Sequence, residues 1–245
     1  MPEVPEGERR AWYVREMFGA VARRYDLANR VLSAGLDRGW RRRAATACAE
    51  ALPADAPRVL DLCAGTGDLG LALLARRPDG RLIACDFSRP MLERARRKFA
   101  RAGCTAQTLV VEANALALPL ANGSVDGVLC GFGLRNLGDP ARGLAEMARA
   151  VRPGGPVVIL EFHRPRGRGL LAGAFGLYFH RILPRLGALV SGGDRGGYRY
   201  LVESIEAFGP PEATTDAMAG AGLEAIRVEP LRGGIASVYF GRRPR

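Results

Sequence analysis

Lysine is all but missing from this chain: of 36 basic residues 35 are arginine, and Lys98 stands alone. Usage that lopsided is what coding bias produces, so the formal net charge of +11 is a weak guide to partners. Its distribution says more. Arg164 to Arg199 holds seven arginines against the single acid Asp194, more than half of the excess. Long apolar runs are missing too. Nothing approaches the roughly 18 uninterrupted apolar residues of a membrane span, and the best stretch, Gly169 to Phe179, is closed off by Arg168 and by His180-Arg181. The start, Met1 to Glu6, is acidic and contains prolines, unlike a signal peptide, which predicts a cytoplasmic protein. The five cysteines form no C-x-x-C pair and read as reduced structural thiols. No His/Cys cluster has metal-ligand spacing, so no metal is expected. No Ser-His-Asp arrangement suggests itself, and there are no repeats or low-complexity linkers. Without an aromatic-basic RNA platform or a known DNA-binding motif, no nucleic-acid partner is expected either.

What is present is a globular composition: 245 residues, 48% hydrophobic, enough for one full core over 1–245. Residues 8–50 read as a helical cover, with Val14, Met17, Phe18, Val21 and Tyr25 on one face. A core over 57–162 then alternates strands (Arg58 to Leu62, Arg81 to Asp86, Gln107 to Glu112, Val125 to Cys130, Val157 to Phe162) with helices. Among the helix signals are Ser88 as an N-cap and Asp139-Pro140 as cap and first-turn proline. Such alternation predicts an α/β fold, a parallel sheet with helices on both faces. The runs Leu223 to Glu229 and Ile235 to Phe240, within a final unit over 211–241, are joined too tightly for a crossover and must pair antiparallel. The segment 164–208 stands outside that pattern as an insert. A mostly parallel sheet with a C-terminal antiparallel hairpin resembles the Rossmann-like seven-stranded sheet of class I S-adenosylmethionine-dependent methyltransferases.

The chemistry centres on Asp61-Leu62-Cys63-Ala64-Gly65-Thr66-Gly67-Asp68, a strand end running through a glycine turn into a helix. Glycines let backbone N–H groups approach a ligand, and the helix N-terminus adds positive potential. Gly65 to Gly70 formally fits the dinucleotide fingerprint G-x-G-x-x-G, with Asp86 at the ribose-acid spacing, so a nicotinamide-dependent oxidoreductase is one alternative. Three features favour S-adenosylmethionine. Asp61 is placed to brace the turn and face a cationic ligand, Asp68 would repel a pyrophosphate, and Asn114-Ala115 sits where an amide can meet an adenine edge. Asp86 would take the ribose hydroxyls and Phe87 pack on the adenine. Competing readings are a helix cap for Asp86, a turn for Asn114 and core packing for Phe87.

Several stretches resemble one family, the C-methyltransferases of ubiquinone and menaquinone biosynthesis. They include Ala22-Arg23-Arg24-Tyr25-Asp26, the glycine turn, Asn114 to Pro119, Gly131-Phe132-Gly133-Leu134-Arg135-Asn136, Leu160-Glu161-Phe162, His180 to Pro184 and Tyr198 to Ile205. The resemblance implies methylation of a polyprenylated quinol ring, with demethylmenaquinol ahead of the ubiquinone-pathway benzoquinol. A nucleic-acid methyltransferase or binding module is the remotest alternative. Gly131 stands where the family usually has a hydroxyl residue and would adjoin the cofactor. His163-Arg164 replaces a Ser-Lys-like pair. These departures bear on substrate choice more than on the reaction.

Ring methylation needs an electron-rich carbon, so the quinol should lose a proton. If its hydroxyl resembles tyrosine's, ionisation at pH 7 costs about 4 kcal/mol. A guanidinium at about 4 Å recovers on the order of 4 kcal/mol at a surface-like dielectric, and a positioned base roughly 10²- to 10⁴-fold in rate. Arg135 is the candidate to orient the quinol oxygen with Asn136, His180 the candidate base, and Tyr200 a lid residue. The other readings are an ion pair or helix cap for Arg135 and core packing for His180 and Tyr200. In the insert, leucines and phenylalanines interleaved with arginines predict a wall for the polyprenyl tail. They also predict peripheral contact with an anionic membrane at the inner face. The sequence is compatible with a homo-oligomer.

Overall fold

The computed structural model describes residues 35–163, 196–232 and 234–245, together with Asp26, Arg30 and Ser33. The described elements, in order, are α1 (Asp37–Ala49), β1 (Arg58–Leu62), α2 (Asp68–Leu74), β2 (Arg81–Asp86), α3 (Arg89–Arg101) and β3 (Thr108–Glu112). Then follow β4 (Gly127–Gly131), a 3-10 turn (Leu134–Asn136), α4 (Pro140–Ala150), β5 (Pro156–Phe162), α5 (Gly196–Phe208), α6 (Pro211–Gly220), β6 (Glu224–Pro230) and β7 (Ala236–Arg242). The seven strands form one sheet in the order β3-β2-β1-β4-β5-β7-β6. β1 to β5 are mutually parallel, and β7 runs antiparallel between β5 and β6.

Central strands are buried almost throughout, as a sheet covered on both faces requires. Their side chains alternate between two cores. Val59, Leu82, Leu129 and Val158 pack with Trp40 and Ala44 of α1 and with Leu69 and Leu73 of α2. Leu60, Ile83, Val128 and Ile159 pack with Leu144 and Met147 of α4 and with Met218 of α6. The edge strand β3 carries the one large exposed hydrophobic among the described residues, Leu109 at 60%.

The seven-stranded mixed sheet and its closing hairpin are those expected from the strand spacing. Details differ. Helix α2 ends at Leu74 rather than near Arg77, β4 begins at Gly127, and the hairpin strands start and end one or two residues later than the apolar runs suggest. Ser88 precedes α3 but makes no side-chain cap; the Asp86 carboxylate takes the Ser88 N–H at 2.9 Å instead. Asp139 does cap α4, accepting the Arg142 N–H at 2.9 Å. Of the expected cover over 8–50, α1 is described and the spacing from Val14 to Tyr25 lies outside the described residues. So do residues 164–195 of the insert, whose last part, 196–208, is α5.

Candidate active site

In an open α/β sheet the strand order reverses at one point, and the carboxyl ends diverge there into a crevice. Here the reversal falls between β1 and β4. A cavity of about 330 Å³ opens at that place, to which the ends of four strands contribute Gly65, Asp86, Asn114 and Gly131. Phe87, Ala115 and Asn136 also line it.

The turn after β1 is built from backbone bonds around two left-handed glycines, Gly65 (φ 54) and Gly67 (φ 84). Ala64 N–H donates to Cys85 O at 3.0 Å and Gly67 N–H to Ala64 O at 2.9 Å. Gly65 N–H donates to Asp86 Oδ2 at 2.8 Å. A Cβ on Gly67 would lie 2.8 Å from Phe99 Cζ of α3, and one on Gly70 would collide with Leu82 Cδ2 of β2, so glycine lets the turn close against α3 and α2 against β2. That accounts for the third glycine of the fingerprint without a dinucleotide. A Cβ on Gly65 would meet no atom within 4 Å.

Asp86 ends β2 with each oxygen accepting a backbone N–H, from Gly65 and Ser88, and with the carboxylate at the cavity wall. Burial raises its pKa, opposed by those N–H groups. Asp61 is 1% exposed and does not reach the wall. Its Oδ2 accepts the Gly70 N–H at 2.9 Å while Oδ1 has no partner, so the carboxylate braces the first turn of α2 through Gly70 rather than Gly65 or Gly67. Burial pushes its pKa up to about 7, with Asp86 and Asp68 adding to the rise. Thr66 and Gly67 also stand behind the cavity. The Thr66 hydroxyl, 3% exposed, donates to Asp26 Oδ1 at 2.7 Å and accepts from Lys98 Nζ at 2.9 Å. Asn114 makes an Asx turn, its Oδ1 accepting the Leu116 N–H at 2.9 Å, which leaves its Nδ2 as the amide group to meet a ligand.

On the β4 side Arg135 departs furthest from expectation. Its side chain is 5% exposed and Nη1 donates to Glu161 Oε1 at 2.7 Å and to Phe132 O at 2.8 Å. Nε lies 3.4 Å from Ser204 Oγ of α5, and the guanidinium stands over the Phe162 ring at 5.3 Å. Arg135 is therefore absent from the cofactor cavity's wall and held in a buried ion pair, the competing reading the sequence left open. Its neighbour Asn136 is at the wall. The carboxamide donates to Phe132 O at 3.0 Å and accepts from Tyr200 OH at 3.2 Å, so α5 reaches the site through Tyr200. Phe132, at the left-handed φ of 58, lines the cavity and packs on Phe162 with centroids 4.5 Å apart and on Trp40 at 6.3 Å. His180 lies outside the described residues. The other histidine, His163, is 4% exposed with Nε2 2.9 Å from Ser237 Oγ.

Sequence reasoning missed the Glu161 partner of Arg135 and the Asp26–Lys98–Asp68 group behind Thr66. It also missed Arg142, whose Nε donates to Leu116 O at 2.9 Å and ties α4 to the Asn114 turn.

A 3-2-1-4-5-7-6 sheet with a ligand cavity at its switch point and an acid ending the second strand defines the class I methyltransferase architecture. The chain belongs to the ubiE/COQ5 methyltransferase family, whose sequence profile matches residues 6–243. It is 47% identical over 232 residues to the demethylmenaquinone methyltransferase of Thermus thermophilus, covering 93% of this chain and 100% of that one. It is 46% identical over 241 residues to the demethylmenaquinone methyltransferase of Deinococcus radiodurans, covering 98% and 96%. A crystal structure of a SAM-dependent methyltransferase from Aquifex aeolicus shares the fold at 18% identity, with a TM-score of 0.53 over 77% of this chain and 83% of that one.

The protein is thus an S-adenosylmethionine-dependent methyltransferase, and the residues present fit that donor. Asp86 offers carboxylate lone pairs at the wall, Gly65 leaves unfilled room, and Phe87 and Met91 supply apolar surface for a base. Among the described residues no group of three or more His, Cys, Asp or Glu could hold a metal ion, and no helix is long and apolar enough to cross a membrane.

Proposed function

We propose that the protein methylates the ring carbon of a polyprenylated quinol, demethylmenaquinol in the first place. The observation that carries this reading is the near full-length similarity to the two demethylmenaquinone methyltransferases, joined to a cavity whose β4 wall is polar at Asn136. When bound, S-adenosylmethionine supplies the electrophilic methyl group. The chain's task is to hold donor and quinol in line and to ease loss of the quinol proton.

In this reading Asp86, Gly65, Asn114, Phe87 and Ala115 hold the cofactor, with Asp61, Thr66 and Gly67 shaping the turn from behind, and Gly131 keeps the β4 wall thin. The Asn136 carboxamide, fixed by Phe132 O and Tyr200 OH, orients the quinol oxygen. Arg135 fixes Asn136 through the shared Phe132 carbonyl, and its positive charge, partly spent on Glu161, biases the site toward an oxyanion. His180 is the proton acceptor in this reading, because a free imidazole is the side chain that titrates near neutrality. The apolar and arginine-rich insert receives the isoprenoid tail and rests on anionic lipid at the inner membrane face. Cosedimentation with anionic and with zwitterionic vesicles tests that part; equal binding to both would refute it.

The reaction is tested by incubating the protein with labelled S-adenosylmethionine and demethylmenaquinol, reduced and oxidised, and following label into the quinone fraction by mass spectrometry. Label is expected only with the reduced substrate. Transfer to the ubiquinone-pathway benzoquinol but not to demethylmenaquinol would reverse the ring assignment.

A further inference from the structure

The one lysine in a chain that otherwise uses arginine 35 times lies directly behind the cofactor turn. Lys98 projects from α3, whose next residue, Phe99, supports Gly67. Its ammonium donates to Thr66 Oγ1 at 2.9 Å, pairs with Asp26 Oδ2 at 2.8 Å, and pairs with Asp68 Oδ1 at the first position of α2. Thr66 closes the ring by donating to Asp26 Oδ1 at 2.7 Å. The Lys98 side chain is 21% exposed, so these pairs are partly shielded from solvent. Although burial pulls the Asp26 pKa upward, Lys98 and Thr66 hold it below the usual carboxylate value.

Between Gly65 and Gly67, Thr66 has the only side chain, so it adds a side-chain grip on the α3 side of the turn to the one that Asp86 has on the Gly65 N–H. The geometry of that grip decides the residue type. Three acceptors converge on a single nitrogen, which a tetrahedral ammonium meets with its three N–H bonds. A guanidinium spreads five donors in a plane over three nitrogens and cannot bring them to one point. Elsewhere the chain pairs acids through arginine, as in Arg43–Glu229, Arg89–Glu112 and Arg149–Glu146, each facing one carboxylate.

We infer that Lys98 is a positioning residue for the cofactor site, fixing the glycine turn through Thr66 while neutralising Asp26 and Asp68, and that arginine cannot replace it. Removing the ammonium leaves two carboxylates flanking the Thr66 hydroxyl, and their repulsion opens the turn that presents Gly65 to the ligand. The inference rests on the cavity being the S-adenosylmethionine site.

Calorimetric titration of S-adenosylmethionine into the wild type, Lys98→Met, Lys98→Arg, Asp26→Asn and Lys98→Met/Asp68→Asn tests it. Lys98→Met and Lys98→Arg are both expected to weaken binding by about tenfold. The cofactor KM should rise in step, with kcat at saturating cofactor and the quinol KM within about twofold of wild type. Lys98→Met/Asp68→Asn should regain part of the loss, and Asp26→Asn, which keeps a side-chain oxygen to accept from Thr66 and leaves the Lys98–Asp68 pair in place, should show a smaller loss. Wild-type cofactor affinity in Lys98→Arg, or a fall in kcat with the cofactor KM unchanged, would overturn the inference. A wild type that gives no heat with S-adenosylmethionine would overturn the cofactor reading itself, and calorimetry reports this whether or not the quinol assignment holds.

Discussion

Arg135→Met separates a guanidinium that works on the substrate from one that holds the site together. The Arg135–Glu161 pair is almost solvent-free, at 5% and 0% side-chain exposure. Removing the cation strands a buried carboxylate, a change that costs about 3–5 kcal/mol. Glu161 would keep two donors, the Arg135 N–H at 3.1 Å and the Phe162 N–H at 2.8 Å, which argues for the lower end. For a domain of this length each kcal/mol moves Tm by about 2–4 °C, so about 3 kcal/mol lowers it by about 6–12 °C. Urea and thermal unfolding read the loss, and kcat and KM are measured well below both midpoints. Adding Glu161→Gln removes the stranded charge, so Arg135→Met/Glu161→Gln should be more stable than Arg135→Met alone. An Arg135→Met protein with unchanged Tm and a hundredfold lower kcat would refute this reasoning and return the guanidinium to the quinol.

Asp61 gives a pH signature. Its folded pKa is raised from 3.8 to about 7, so the native state binds the extra proton between those values. The contribution is full below about pH 4 and is lost as pH rises through about 7, at most about 4 kcal/mol. Unfolding of wild type and Asp61→Asn at pH 5 and pH 8 should show a smaller pH-dependent loss in the variant; parallel profiles would contradict the assignment. Asp86→Ala removes the acceptor of two backbone N–H groups and, with it, the proposed acceptor for the ribose hydroxyls. It should cost about 1–3 kcal/mol of stability and weaken S-adenosylmethionine binding at least about tenfold. Unchanged calorimetric affinity would exclude Asp86 from the site. Gly131→Ser would put a Cβ 2.9 Å from Leu69 Cδ2, the movable end of that side chain, so the variant should lose only about 1 kcal/mol in chemical denaturation. A loss above about 3 kcal/mol would show that Leu69 cannot yield.

What could be read from the sequence was what local periodicity and turn chemistry encode. Central strands such as Arg81–Asp86 are uninterrupted apolar runs closed by an acid, and Asp139-Pro140 carries its own cap. The short link before Ala236 allows no crossover, so the hairpin followed. Contacts between distant elements were not readable. Nothing near Arg135 announces Glu161, 26 residues away on the neighbouring strand, because that pairing depends on the register of β4 against β5. The Ser88 hydroxyl suggests a cap on its own, whereas the preceding carboxylate of Asp86 takes the Ser88 N–H. Thr66 reads as a ligand contact from its place in the glycine turn, but with Gly65 and Gly67 both left-handed its side chain turns away from the cavity toward α3.

The thiols at the cavity bear on self-poisoning. Cys63 and Cys85 both line it. A hydrogen bond with Cys130, and then burial, raise the Cys63 pKa, and burial pushes Cys85 up to about 12. At pH 7 a thiol of that pKa is ionised in about one molecule in 10⁵, against a few per cent for a free cysteine. If the substrate is a quinol, its oxidised form is an electrophile that adds thiolates at an unsubstituted ring carbon, the same carbon that takes the methyl group. Thiols kept protonated let the protein handle such a compound beside bare sulfur without alkylating itself.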